Sequence, residues 1–570
     1  MNLEGASLDK LTGDYREQAE FVVNSAWRLL SLQDDNELSP SYGCFHYAYW
    51  RDKTSEFPDA RFQEAGATLG LLSLPFFDSA RQARRLAPAG ELYRAFSAGL
   101  GNLAHQQYPE GCFDEWYKGE RGFAATEFTI IAYGLAARMM GSAVLPADRA
   151  LLCAVAEKAG RWLAERHDRV KSNHEAASAA ALALVWELTG DASFKTAARR
   201  QVDDTLARQH AEGWFPEIGG MDLGYCSVLL DYVMIYTLVT EDRAAVPSME
   251  RLFKFMLPLM HPDGTISPEM GLCLNPYVSR LGIGLLSQAC EGPRSLVTAM
   301  QSSAVGTEGL RPTLSDDLRL TRWSHLPLMT GMLASSFRPA AQGTPLSAAF
   351  PQGWTSHRSA AVCAFHDADQ HVYCSVAGGG AIRVYSGNRL AYEDLGFRLQ
   401  AGSQQLGAAG YDPERRFSQT GNGFSVSCAF SAATFFFPSF LSRLVLRLGC
   451  STALGARVLR SVIDYVRLKR RTASNQSAAP VAGKKSGYNL ERSVEIQGSR
   501  VCVTDRITGP SGDCPAVGVA ALARLPGRSE TIPPLTLASQ SLTVLKTLDF
   551  AAGDAMTFSC QVKPEAGGLG

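Results

Sequence analysis

"EGWFPEIGG", Glu212 to Gly220, has two counterparts in the same chain: "EGCFDEWY" from Glu110 and "PDGTISPEMG" from Pro262. Their central glycines, Gly111, Gly213 and Gly264, are separated by 102 and 51 residues, the first interval twice the second. A period of 51 suits two helices and two loops, each unit ending in a glycine turn followed by an acidic residue. Between the turns, from Tyr15 to about Arg338, apolar residues recur at helical spacing. "YREQAEFVVNSAWRLL", "FQEAGATLGLLSL", "ELYRAFSAGLGNLAH" and "DRALLCAVAEKAGRWLAER" show the pattern. The repeat predicts stacked helical hairpins over residues 1–340. Six hairpins would close into an (α/α) toroid, whereas an open solenoid has the same period.

"RPAAQGTPLSAAFPQGW", Arg338 to Trp354, is rich in Pro, Gly and Ala, which places a linker at 341–353. The periodicity then changes. "HVYCSVA", "AIRVYSG", "GFSVSCAF", "RSVEIQG" and "RVCVTDRI" are short β-branched and aromatic runs bounded by turn residues. They predict an antiparallel β-sandwich over 354–570. Near 455–487 that domain is interrupted. "LGARVLRSVIDYVRLKRRT" reads as a helix with a basic end, and "ASNQSAAPVAGKKSG" as a flexible loop. The expected class is α+β multidomain, a toroid followed by a sandwich.

The 570 residues call for more than one domain, and 46% hydrophobic residues suffice for large cores. Lys plus Arg number 55 against 56 Asp plus Glu, so the basic surplus of a nucleic-acid binder is missing. "MNLEGASLDKLTGDYREQ" has no basic start leading into an apolar run, so no secretory signal is expected. No uninterrupted apolar stretch of about 18 residues predicts a transmembrane helix. The thirteen Cys are scattered without a CxxC pair. Reduced thiols in a cytoplasmic protein fit that spacing better than a disulfide framework or a zinc site. The basic segment at 457–471 could touch a membrane surface, but such a stretch is more often a solvated face or a partner-binding edge.

Four polar-aromatic clusters carry chemistry in the helical half: "YGCFHYAYWRD" from Tyr42, "FDEWYKGER" from Phe113, "NHEA" from Asn173 and "GGMDLGY" ending at Tyr225. Loops at one end of a toroid converge on its centre. Tyr47, Arg51, Glu115, Trp116, Tyr117, Glu175, Glu217 and Asp222 would there suit a sugar, with aromatic faces for rings and charged groups for hydroxyls and carboxylates. Each has a structural alternative. Asn173 can cap a helix, with Glu175 favourable in its first turn, and His174 can be a satisfied core histidine. Glu115 and Glu217 can be loop charges. Trp116, Tyr117 and Tyr225 can be packing anchors, and Arg51 can pair with Asp52.

The arrangement resembles the heparinase II/III-like and alginate-lyase-like polysaccharide lyases, in which an incomplete (α/α) toroid precedes an antiparallel β-sandwich. In that family an Asn, often followed by His, starts a toroid helix, and a catalytic Tyr follows in a glycine-containing segment. Here "NHE" and "GGMDLGY" set Asn173 and Tyr225 52 residues apart. "LERSVEIQGSRVCVTDRITG" is similar to a sandwich strand pair of the family. The resemblance implies β-elimination on a uronate-containing, acidic glycan. Asn173 would neutralise the carboxylate, helped by Arg51. Tyr225 would be the acid and also a candidate base, and His174 the base or a second neutraliser. A Tyr near pKa 10 needs a nearby cation to serve as a base. Many members carry a sandwich strand with histidines that ligate a metal. This chain reads "VAGGGAIRVYSGNRLAYEDLGFR" at the corresponding place, and His357, His366 and His371 do not match that pattern. Neither a metal nor another cofactor is therefore expected. Two other classes stay open: a non-catalytic glycan-binding or scaffold protein, and a toroid glycoside hydrolase using two of Glu115, Glu217, Asp222 and Glu269.

Overall fold

The structure is a computed structural model. It describes residues 6–218, 220–271, 278–302, 316–340, 346–408, 412, 415–434, 439–470, 481–510, 517–526, 532, 534–537, 541–550 and 556–565.

Among the described residues twelve helices alternate between an outer and an inner layer. The outer ones are α1 (Gly13–Asn24), α3 (Ala89–Gln106), α5 (Pro146–Ala164), α7 (Ala192–Leu206), α9 (Val246–Met256) and α11 (Arg294–Gln301). The inner ones are α2 (Glu64–Leu72), α4 (Phe123–Met140), α6 (Ser172–Thr189), α8 (Leu223–Thr240), α10 (Leu281–Leu286) and α12 (His325–Leu333). Each inner helix packs on the next, and α12 packs on both α10 and α2, so the inner ring closes. The open solenoid is thereby excluded. The first outer helix, α1, lies against α11 and α12, so the two ends of the helical half meet. Inner helices are covered on every side, and their sequences are apolar all round to match. In α6, "AASAAALALV" is completely buried. α8 is long and apolar enough to cross a membrane, but 78% of it is buried inside the ring.

The glycine turns are structurally equivalent. Tyr108, His210 and His261 each accept a hydrogen bond from the glycine three residues on, at 2.8–2.9 Å, and each donates to the residue four on. Gly111, Gly213 and Gly264 have φ of 102°, 104° and 75°, a region that favours glycine. Gly43 makes a fourth such turn, bracketed by Asp34 and Cys44. A glutamine locks three of the turns. Gln33, Gln107 and Gln209 each donate to the turn glycine's carbonyl and to a carbonyl of the following outer helix, Ala95, Val155 and Ser248 respectively. Between α5 and α6 the loop 165–171 contains no glycine, which is why one interval is doubled.

Among the described residues fourteen strands follow. They are β1 (Gly353–His357), β2 (Val362–His366), β3 (Gln370–Ser375), β4 (Ala381–Ser386), β5 (Arg389–Ala401), β6 (Gln404–Gly407) and β7 (Phe417–Thr420), then β8 (Gly423–Thr434), β9 (Val481–Gln497), β10 (Arg500–Thr508), β11 (Val517–Arg524), β12 (Leu535–Leu537), β13 (Ser541–Asp549) and β14 (Thr557–Glu565). All pairings are antiparallel, in the order β1-β2-β3-β4-β5-β6-β8-β9-β10-β13-β14. The long β5 pairs with β4, β6 and β11, which lets the sheet fold over one continuous apolar core.

Within that core lies a charged quartet with no exposed atoms. Arg492 pairs with Asp505 at 2.6 Å and Asp394 at 3.0 Å, and Lys546 pairs with the same two aspartates at 2.6 and 2.5 Å. Two cations meet two anions, so the cluster is neutral, and Asp394 is held well below the usual carboxylate range by Arg492 and Lys546 despite its burial.

Two expectations need correction. The stretch "ASNQSAAPVAGKKSG" is not a loop throughout, because Val481–Gly487 begins β9 and pairs with β8, whose partner groups would otherwise be left open. Residues 473–480 lie outside the described residues, as do 341–345 of the expected linker. The interruption holds two helices rather than one: α13 (Phe440–Gly449) precedes α14 (Ala453–Arg470).

Candidate active site

The even-numbered helices all begin at one end of the ring, and the segments leading into them are bonded to one another. Ala60 N–H donates to Asp114 O at 3.0 Å, Ser172 N–H to Pro216 O at 3.3 Å, and Leu223 N–H to Met270 O at 2.9 Å. Arg322, just before α12, reaches back to Asp59 at 2.9 Å and Glu115 at 2.7 Å. Helix N-termini carry partial positive charge, so this mouth favours anions.

Asn173 is the second residue of α6, inside the first turn, and Lys171 holds the cap position. The capping reading of Asn173 therefore fails. Its backbone N–H is instead received by Glu217 Oε1 at 2.8 Å, from the loop before α8. Asn173 is buried, and its Oδ1 has no protein partner. His174 Nδ1 lies 2.9 Å from Glu127 Oε1, which projects from α4, and 4.0 Å from Asp168. Burial pushes the carboxyls of Glu127 and Glu217 well above their ordinary range, and the Lys171 ammonium pulls each of them the other way. Asp222 caps α8 by accepting from Tyr225 N–H at 3.0 Å, and the half-buried Tyr225 is the third residue of that helix. Asn173 and Tyr225 thus stand in the first turns of neighbouring helices, linked through Glu217 and Asp222, whose charges are near enough to interact.

Beside this group lies a web of arginines and carboxylates. Arg61 pairs with Glu64 and lies 4.0 Å from Glu115. Its guanidinium covers the Phe128 ring at 4.2 Å. Burial outweighs the arginines and raises Asp59 and Glu64 to about 7. His325, at the start of α12, is driven down to about 3 by burial and by Arg61. Arg61 Nη2, Arg322 Nε, Glu64 Oε2, Glu115 Oε2 and His325 Nδ1 are buried without protein partners.

The sandwich closes on this end of the ring. Ser375 Oγ donates to Glu269 O at 2.6 Å, and Arg383 pairs with Glu269 at 3.1 Å. The β3–β4 turn is anchored from behind by Arg492, which donates to Gly380 O at 2.9 Å. Of the sandwich histidines, His366 and His371 face each other at 3.1 Å, with His366 Nε2 on Pro258 O. His357 lies edge-on to Phe255. On the toroid side, His261 is surrounded by Thr265, Ser267 and Tyr385. His261 and His366 are committed to the protein's own groups, whereas His357 Nε2 and His371 Nε2 are buried without protein partners. Among the described residues one group could hold a cation, His167, Glu175 and Asp204, but Glu175 is already bonded to His167 at 2.5 Å and to Asp168 N–H at 2.8 Å.

The other sequence candidates are distributed as follows. Glu175 holds the 165–171 loop through His167 and Asp168 N–H. Arg51 is exposed, pairs with Asp52 at 3.0 Å and lies over the Tyr47 ring. Tyr47 packs edge-on against Phe62. Trp116 is 55% exposed beside Arg322, and Tyr117 is half-buried. Sequence reasoning missed Arg61, Glu127, Asp168, Lys171 and Arg322. Glu127 had a signal, a lone carboxylate in the apolar run "FAATEFTIIAYG"; the arginines, 261 residues apart, had none.

No protein-family model and no curated protein matches the sequence. A number of solved structures are similar in shape. Heparinase III aligns with a TM-score of 0.51 and 10% identity, over 99% of this chain and 85% of that one. Chondroitinase AC lyase gives 0.44 and 10%, over 96% and 82%. An unsaturated glucuronyl hydrolase from Streptococcus agalactiae gives 0.32 and 8%, over 58% and 82%. At 10% identity the likeness is one of fold, and the fold of this chain is that of heparinase III: an (α/α) toroid followed by an antiparallel β-sandwich.

Proposed function

We propose that this chain is a glycan-active enzyme that cleaves a uronate-containing polysaccharide or oligosaccharide by β-elimination. The observation that carries the proposal is the meeting of Asn173 and Tyr225 in the first turns of adjacent inner helices, at the anion-favouring end of the ring. The fold likeness to heparinase III supports a polysaccharide substrate. Removal of the proton α to a carboxylate builds enolate charge on that carboxylate, and hydrogen-bond donors must meet it. Asn173 supplies an amide. Glu217, whose carboxyl burial pushes well above its ordinary range, lies next to it and supplies a neutral acid when protonated. Arg322 and Arg61 replace the exposed Arg51 as the cations at this mouth. In this reading His174, beside Glu127, takes the proton, and the Tyr225 hydroxyl protonates the leaving oxygen. The N-terminal position of Tyr225 in α8 favours its phenolate during that transfer.

The test is a panel of uronate oligosaccharides followed by the ultraviolet absorbance of an unsaturated uronate. Tyr225→Phe keeps the ring and loses the hydroxyl, so turnover should fall by on the order of a thousandfold with binding retained. Asn173→Ala should weaken both. Tight binding with no absorbance change across the panel would replace catalysis by glycan binding. A hydrolase reading has one observation in its favour, the buried carboxyls Glu127 and Glu217, both raised above their ordinary range by burial, and release of reducing ends without absorbance would select it. Of the carboxylates first considered for that role, Glu115 and Glu269 are paired with arginines.

A further inference from the structure

We infer that the helical hairpin α13–α14 is a docking surface for an anionic lipid bilayer. α13 buries none of its residues. Phe440, Leu441, Leu444, Val445 and Leu448 are all exposed, Phe440 at 82%. At 3.6 residues per turn these five side chains fall within about 140° of the helix circumference, one continuous apolar stripe. On α14, Leu454, Val458 and Val462 are exposed at i, i+4 and i+8, a second stripe. Its opposite face rests on the toroid: Arg460 donates to the carbonyls of Glu120 and Arg121 at 3.1 and 2.7 Å, and Ala456 meets Gly119. α13 is tied to the other side of the mouth by Arg447 and Glu56 at 3.1 Å. The hairpin therefore stands fixed beside the candidate site with eight apolar side chains turned out.

A ten-residue helix with no buried face is marginal in water, so a second phase or partner must cover it. Charge selects which. From Ser439 to Val462 the segment has Arg443, Arg447, Arg457 and Arg460 and no acidic residue, in a chain whose net charge is −1. Arg443 and Arg447 border the α13 stripe. Apolar side chains flanked by arginine match the acyl boundary and headgroups of an anionic leaflet. A second copy would bring arginines against arginines. An acidic glycan would meet aliphatic side chains, which offer no hydrogen bonds to its hydroxyls. The inference stands independently of the reaction catalysed.

The experiment is co-sedimentation of the full chain with vesicles of phosphatidylcholine, alone or mixed equally with phosphatidylglycerol. The protein should pellet with the anionic vesicles and far less with the neutral ones. Leu444→Glu/Leu448→Glu should abolish pelleting with circular dichroism unchanged. Arg443→Gln/Arg447→Gln, which removes two exposed charges and with them the Arg447–Glu56 pair, should weaken the partition by about tenfold or more. Any of four results would overturn the inference. Wild type fails to pellet, or both double variants pellet as wild type does. Light scattering finds a dimer that Leu444→Glu/Leu448→Glu converts to a monomer, with no vesicle binding. Immobilised polyuronate retains the wild type through this face while vesicles do not.

Discussion

Asp231, in α8, accepts from Gly282 N–H at 2.6 Å and from the Ser279 hydroxyl, and it is buried without a cation. Burial lifts its pKa from 3.8 to about 7. The folded state therefore binds a proton that the unfolded state has released between those values, and the Asp231 contribution to stability is lost as pH rises from about 4 to 7. Asp231→Asn removes the titration. Denaturant unfolding at pH 5 and pH 8 should show a smaller loss of stability in the variant, which at pH 8 should match or exceed the wild type. Glu127 and Glu217 have the same sign. The falling, alkaline side of a pH–activity profile should accordingly be altered in Glu217→Gln, whose amide is a donor at every pH. At this scale the sequence pointed to Asn173, His174 and Tyr225 because a polar triplet opening an apolar helix is conspicuous. It could not point to Arg61 or Arg322, since nothing local ties a residue before α2 to one before α12.

Gly111, Gly190 and Gly213 all have positive φ, yet substitution should separate them. A Cβ on Gly111 would collide with the Lys158 carbonyl oxygen of α5, whereas a Cβ on Gly190 meets nothing within 4 Å. Gly190→Ala should cost about 1 kcal/mol from backbone conformation alone, and Gly111→Ala roughly 3 kcal/mol or more because backbone must also move. Chemical denaturation of both variants checks the difference. The same geometry explains what was legible: a turn that tolerates glycine alone, placed under an outer helix, recurs at the helical-hairpin period and can be read from spacing. The doubled interval had no such residue to reveal the α5–α6 hairpin. α13 was unread because "FLSRLVLRLG" lies between strands and buries nothing, and the start of β9 was misread because its small and polar residues lack strand propensity while β8 supplies the pairing.

For the molecule as a whole, the sandwich is braced by four buried charges that sum to zero, and Arg492 passes that bracing to the turn that meets the toroid. Lys546→Met leaves two aspartates against one arginine in a dry core and should destabilise by about 3–5 kcal/mol. Lys546→Met/Asp394→Asn restores neutrality and should recover much of that loss, measured by thermal unfolding. The quartet was invisible in sequence except for one pair, since Arg492 and Asp505 face each other across a hairpin, while Asp394 and Lys546 come from strands far along the chain. The closing of the ring through α12 has its own consequence, for the order in which the molecule can be made. While the chain is still being synthesised, α1 and α2 wait on the ribosome with apolar flanks open until residues beyond Leu333 have emerged to fill the gap. Closure of that seam is a contact across some 260 residues, so the toroid completes late, and a nascent chain arrested before α12 is the species on which chaperones would act.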